Sequence, residues 1–320
     1  MTPLLEVRNL KTSFFTDKGV VRAVDGISFS LEKGKTLAMV GESGCGKSMT
    51  ALSLLRLVPE PGDITDGEII FNGENLLLLP EDKMRAMRGN RLAMIFQEPM
   101  TALNPVLKIG DQIAEVLQLH RSLSRNEALD RAATLLEKVG VPEALQRLSS
   151  YPHQLSGGLR QRVVIAIALA CEPQILIADE PTTALDVTIQ AQIMELLHQL
   201  QRQHDMATLL ITHDLGIVAG SADDVAIMYA GLIVEQADVA SLFREPLHPY
   251  TRGLLSSIPR PGNEKKRLTP IKGQVPPALS RPSGCPFRNR CPEAIDQCAT
   301  ACPQLKNISD GHSVRCWRRV

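Results

Sequence analysis

The chain has 320 residues, and 35 Lys and Arg balance 35 Asp and Glu to a net charge of +0. That balance conceals a split: from Pro261 onward there are 11 basic and 4 acidic residues, a surplus of +7, against 24 basic and 31 acidic before it, or −7. No apolar run approaches the roughly 20 residues of a helical bilayer span, and Glu6, Arg8 and Lys11 stand where a signal peptide needs an unbroken apolar core, so a cytoplasmic protein is expected.

Short runs rich in Val, Ile and Leu recur along the chain: Thr36 to Val40, Leu92 to Phe96, Ile175 to Asp179, Thr208 to Thr212 and Val225 to Tyr229. Continuous apolar runs of this length fit parallel strands buried on both faces. Between them lie helical faces, Ala128, Ala132, Leu135, Leu136 and Val139 in one, and Ile189, Ile193, Leu196, Leu197 and Leu200 in another. Alternating strand and helix predicts an α/β fold with helices on a mainly parallel sheet. The stretch from Glu98 to Ser150 shows no buried strand and reads as a helical insertion. Eight prolines fall in the last 60 residues, where the alternation stops and no apolar core is expected to organise the chain.

Gly41, Glu42, Ser43, Gly44, Cys45, Gly46, Lys47 and Ser48 satisfy G-x-x-x-x-G-K-[ST] between a predicted strand and a helix opening at Ser48. Glycines let backbone N–H groups turn inward around phosphates, the helix N-terminus adds positive potential, Lys47 reaches the β and γ oxygens, and Ser48 ligates Mg²⁺. Ile175 to Glu180 supplies matching carboxylates: Asp179 for the metal and Glu180 to polarise an attacking water. Together these two motifs predict a nucleotide-binding P-loop protein.

Leu155-Ser156-Gly157-Gly158-Leu159-Arg160-Gln161-Arg162 resembles the signature of ATP-binding cassette (ABC) proteins, with Leu159 where many cassettes carry Gln. Gln97 resembles the Q-loop, Thr183-Ala184-Leu185-Asp186 the D-loop, and His213 the switch histidine. The resemblance implies a P-loop cassette fold with a helical subdomain at about 98–165. It also implies two cassettes stacked head to tail, so that Ser156, Gly157 and Gly158 cap the partner's ATP. Within the chain's own site it implies Gln97, Glu180 and His213 as catalytic residues, with Mg²⁺ held by Ser48, Gln97 and Asp179. Residues 41–48 and Met49 would hold the phosphates, and Phe14, or its neighbour Phe15, would stack on adenine.

Further runs, Ile95 to Pro105, Tyr151 to Gln154 and Leu247-His248-Pro249-Tyr250-Thr251, resemble the ATPases of the dipeptide, oligopeptide and nickel importers. That family implies a second ATPase subunit, two membrane permease subunits and an external solute-binding protein, with the chain on the cytoplasmic face of the membrane. Peptide is the expected cargo, and nickel or another small solute the alternative. A soluble cassette ATPase acting on nucleic acid is opposed by the low aromatic content, 3%, which offers few stacking platforms.

Five of the seven cysteines lie after Pro261. Their spacing resembles the C-terminal pattern that these importers associate with a [4Fe–4S] cluster, implying Cys285, Cys291, Cys298 and Cys316 as ligands, with Cys302 in reserve for Cys298. Spacing alone fits a Cys₄ zinc site as well. Arg288, Arg290 and Arg315 are expected to offset the cluster's charge. The expected division is therefore a nucleotide-binding domain at 1–260 and a Cys-rich, irregular C-terminal region at 261–320.

Overall fold

The computed structural model describes residues 3–98, 102–183, 185–257 and 270–320. Pro99, Met100, Thr101, Ala184 and the expected boundary at Pro261 lie outside the described residues. The chain forms two compact units, one of 1–32, 36–77 and 210–320, the other of 33–35 and 78–209.

The first unit opens with β1 (Leu5–Thr16) and β2 (Gly19–Leu31), an antiparallel pair. It continues through β3 (Thr36–Val40) and α1 (Lys47–Leu54) to β4 (Gly62–Phe71) and the two-residue β5 (Glu74–Asn75). Strands β2, β1, β4 and β5 make one antiparallel sheet in that order. All five residues of β3 are buried, as an unalternated Thr-Leu-Ala-Met-Val run requires.

In the second unit α2 (Glu81–Met87) precedes β6 (Leu92–Ile95), and α3 (Ile109–Arg121) and α4 (Arg125–Lys138) fill the predicted insertion. Helix α4 starts at a capping box, in which Ser124 Oγ accepts from Glu127 N and the Glu127 carboxylate accepts from Ser124 N at 2.9 Å. Next come α5 (Gly157–Leu169), β7 (Ile175–Asp179) and α6 (Val187–His204). Strands β6 and β7 pair in parallel. The expected apolar faces pack into one core: Ala128, Ala132 and Leu136 of α4 join Ile193 and Leu197 of α6 and Leu176 of β7.

Strand β8 (Ala207–Thr212) carries the chain back to the first unit, where α7 (Leu215–Ser221), β9 (Asp224–Tyr229), β10 (Leu232–Asp238), α8 (Val239–Arg244) and α9 (Pro249–Ser256) follow. Strand β9 runs parallel to β3 and antiparallel to β10. Near the C-terminus β11 (Lys306–Ser309) and β12 (His312–Val314) form a hairpin whose second strand extends this sheet beside β10. Contrary to expectation, apolar packing does reach this tail. Phe287 is buried with its ring edge-on to Tyr229 at 5.2 Å and 5.4 Å from Tyr250, inside a core that includes Val40 and Ile227. Among the described residues no helix is long and apolar enough to cross a membrane.

Candidate functional site

The phosphate loop of the first unit is shaped by two glycines with no room for a side chain. Gly46 caps α1 at φ 108, where a Cβ would collide with the Ala23 carbonyl and stand 2.9 Å from Met228 Cε; at Gly41 it would strike Met228 O and come 2.7 Å from Cys45 Sγ. Gly44 differs: its φ is 76, but a Cβ there would meet nothing within 4 Å, so the loop is open on that side. Lys47 is 5% exposed and donates Nζ to Gly41 O at 2.7 Å and Glu42 O at 3.2 Å. Ser43 is exposed, and Ser48 and Met49 sit half-buried in the first turn of α1. Burial pushes the Cys45 thiol up, which keeps it neutral. A cationic lysine over an open glycine loop at a helix N-terminus fits a polyphosphate.

The second unit assembles a carboxylate cluster by strand register. Ile95 of β6 is opposite Ala178 of β7, so the residues two further on, Gln97 and Glu180, emerge side by side. Gln97 Nε2 donates to Glu180 Oε2 at 3.0 Å, and Thr183 Oγ1 donates to the same oxygen at 2.8 Å. Glu180 has φ 46, a left-handed conformation uncommon outside glycine. Asp179, 3% exposed, ends β7. In the same unit Ser156 caps α5, its Oγ accepting from Leu159 N at 3.4 Å, and Gly157 is exposed with Gly158 half-buried behind it. Asp186 caps α6 by accepting from Ile189 N at 2.9 Å.

Back in the first unit, His213 is exposed just beyond β8. Phe14 is half-buried and close to Gly62, where a Cβ would approach its ring to 2.7 Å, whereas Phe15 is 53% exposed.

Two residues that sequence reasoning did not place at the loop grip it. Tyr250 accepts the Glu42 N–H at 3.0 Å, and Arg290 holds the Glu42 carboxylate with both terminal nitrogens, at 2.6 and 3.0 Å. Tyr250 lies in the importer-like run Leu247 to Thr251, whereas Arg290 carries no sequence signal beyond its charge. Tyr250 is set by a buried network in which Glu235 accepts from Leu247 N, His248 N and His312 Nε2, while His248 Nδ1 accepts from Tyr250 N at 3.0 Å.

Burial, followed by nearby Arg315, Arg252 and Arg319, drives His248 down to about 3, although a backbone hydrogen bond at Arg315 opposes this. The folded value lies below the ordinary histidine value of about 6.5. Stability from neutral His248 is therefore fully present above that pH and lost as pH falls toward 3. Between pH 7 and 5 the protein is expected to lose about 2 kcal/mol through this group alone. His248→Asn, whose amide oxygen can still accept the Tyr250 N–H, should lack that loss when urea unfolding is compared at the two pH values.

The expected tail metal site needs correction. Among the described residues no group of three or more His, Cys, Asp or Glu side chains could hold a metal ion, so Cys285, Cys291, Cys298 and Cys316 form neither a [4Fe–4S] nor a zinc site. All are free thiols; Cys285, Cys298 and Cys316 are buried, Cys291 is half-buried, and the spare Cys302 is exposed. Burial pushes Cys285 up to about 12 and raises Cys291 and Cys316 as well. Cys285 and Cys298 instead pack as small apolar groups in the core around Phe287. Nor do the arginines offset a cluster: Arg290 is committed to Glu42, Arg288 to Ser283 and Ala299 carbonyls, and Arg315 to Ile233 and Pro303 carbonyls.

The phosphate loop, the Gln97 and Glu180 cluster and the serine-capped glycine helix together define an ABC-type ATPase. The family model for ABC transporters matches residues 24–183, and that for the oligopeptide/dipeptide transporter C-terminal region matches 234–298. The dipeptide transport ATP-binding protein DppD of Bacillus subtilis is 52% identical over 99% of this chain and 95% of its own length, and the oligopeptide transport ATP-binding protein AppD of the same organism is 54% identical over 99% and 97%. Among solved structures, the cassette MJ0796 bound to ADP and Pi is similar with a TM-score of 0.66 and 25% identity, over 73% of this chain and 98% of that one. The chain belongs to the peptide/oligopeptide ABC transporter ATP-binding subunits, the DppD/OppD-like family.

Proposed function

We propose that the chain hydrolyses ATP to drive import of peptides across the cytoplasmic membrane, as a peripheral subunit on its inner face. The observation that carries this reading is the likeness to peptide-transport ATPases along 99% of the chain, through both the cassette and the 234–298 region. Its partners are a second ATPase subunit, two permease subunits and an external solute-binding protein; the MJ0796 cassette is itself described as dimeric. In domain terms 1–260 is the nucleotide-binding body, with a helical subdomain at about 98–165, and 261–320 is a C-terminal segment.

Phe14 stacks on adenine, and loop N–H groups from Gly41 to Ser48, apart from the Glu42 N–H that Tyr250 accepts, cradle the phosphates with Met49 behind them. Lys47 exchanges the carbonyls of Gly41 and Glu42 for phosphate oxygens. Ser48, Asp179 and Gln97 would hold Mg²⁺, which when bound neutralises phosphate charge. Glu180 takes the proton of the attacking water, oriented for it by Gln97 and Thr183. His213 contacts the γ-phosphate. Ser156, Gly157 and Gly158 act on the partner's nucleotide through the N-terminus of α5.

The test is reconstitution of the full complex, copurified from solubilised membranes, into vesicles with its solute-binding protein. ATP-dependent uptake of labelled di- and oligopeptides is the expected result. Copurification of nucleic acid in place of membrane subunits, or uptake of nickel without peptide, would overturn the reading.

A further inference from the structure

Glu42 is the residue of the phosphate loop held from the far end of the chain. Its N–H is bonded by Tyr250, 208 positions on, and its carboxylate by Arg290, 248 positions on. Arg290 is 4% exposed in its side chain, and its third nitrogen, Nε, bonds Lys272 O at 3.1 Å. The guanidinium also lies 5.8 Å from the Tyr229 ring centroid and 5.9 Å from that of Phe287, so aromatic faces fix its plane. A two-pronged bond of this kind sets orientation as well as charge.

A carboxylate beside a phosphate-binding loop repels the ligand unless it is neutralised. We propose that Arg290 is a positioning residue for the nucleotide: by neutralising and orienting Glu42, the C-terminal segment sets the affinity of the phosphate loop for a nucleoside triphosphate. This rests on the ATPase reading above and deepens it. The segment's basic surplus thereby acquires a role in the nucleotide site, and Tyr250 supplies the second anchor, on the loop backbone rather than on the charge.

A purely mechanical tether and a charge-neutralising clamp differ in how Glu42→Gln behaves. In the full-length chain, Arg290→Gln is expected to weaken MgATP binding about tenfold, measured by titration calorimetry, because a half-exposed carboxylate is left unpaired next to the polyphosphate. Adding Glu42→Gln removes that charge and is expected to recover most of the loss, and the defect of the single variant should shrink when salt is raised from 50 to 500 mM. Arg290→Lys, which keeps the charge and loses the fork, should fall between the wild type and Arg290→Gln. If Arg290→Gln binds MgATP as the wild type does, or if the double variant is as weak as the single one at every salt concentration, the proposal fails. A wild-type chain that binds no MgATP would instead overturn the ATPase reading itself.

Discussion

Glu180→Gln is expected to leave MgATP binding intact and to lower phosphate release by roughly a hundredfold or more, the usual contribution of a general base. Bonds to the Glu180 carboxylate from Gln97 Nε2 and Thr183 Oγ1 converge on the same oxygen, Oε2. A glutamine in its place keeps the volume and offers an amide oxygen to the same donors, so the φ of 46 and the cluster around it can persist. What glutamine cannot do is accept a proton from water. The left-handed backbone costs about 1–3 kcal/mol in a non-glycine residue, and here it places the carboxylate beside Gln97, beyond the buried end of β7. Single-turnover release of phosphate in the assembled complex is the measurement, with nucleotide trapped in the variant as the companion sign. Turnover at the wild-type rate would remove Glu180 from the role of base.

This cluster was only half legible from the sequence. The apolar run ending in Asp179 and the acid after it are local, and so is the glycine spacing of the phosphate loop; both could be read directly. That Gln97 meets Glu180 depends on β6 and β7 pairing in parallel with Ile95 opposite Ala178, which no local pattern encodes, so only the resemblance to cassette proteins suggested it. The same distinction holds for the fold. Strands β3 and β7 are buried along their whole length and show as unbroken apolar runs. Strands β1, β2 and β4 are not legible in the sequence because bulges interrupt their alternation: the β1 and β2 register shifts between Val7 and Leu10, next to Asn9 at φ 47, and Gly67 of β4 stands at φ 105.

The tail shows the opposite failure, a pattern with too many explanations. A cluster, a zinc ion and a set of buried thiols all tolerate the same cysteine spacing, and only the surroundings distinguish them. Cys285 and Cys298 lie in a core with Tyr229, Tyr250 and Phe287, where burial favours the neutral thiol of Cys285. The charge split near Pro261 points to a segment with different chemistry, but Arg281, Arg288, Arg290, Arg315 and Arg319 serve protein partners. Arg290 reaches Glu42, and Arg281 reaches Asp25 of β2 at 2.7 Å. The basic surplus of the tail is thus partly spent on acids of the nucleotide-binding body.

Gly46→Ala is expected to do more damage than any other single-methyl change in the loop, lowering stability by about 3 kcal/mol and MgATP affinity at least tenfold. Two effects add. At φ 108 an alanine is strained whatever the space around it, and here the space is filled by the Ala23 carbonyl, a backbone atom that cannot swing aside as a side-chain tip could. Relief requires moving β2 or the start of α1, and moving α1 displaces Lys47, the first residue of that helix, which bonds Gly41 O and Glu42 O. Gly44→Ala isolates the strain alone, since its φ of 76 is also positive but its Cβ would meet nothing within 4 Å. Its stability cost should therefore stay near 1 kcal/mol. Urea midpoints and calorimetric MgATP affinities for the two variants separate the contributions: equal destabilisation by both would mean that Ala23 imposes no steric limit and that glycine serves the loop through backbone freedom only.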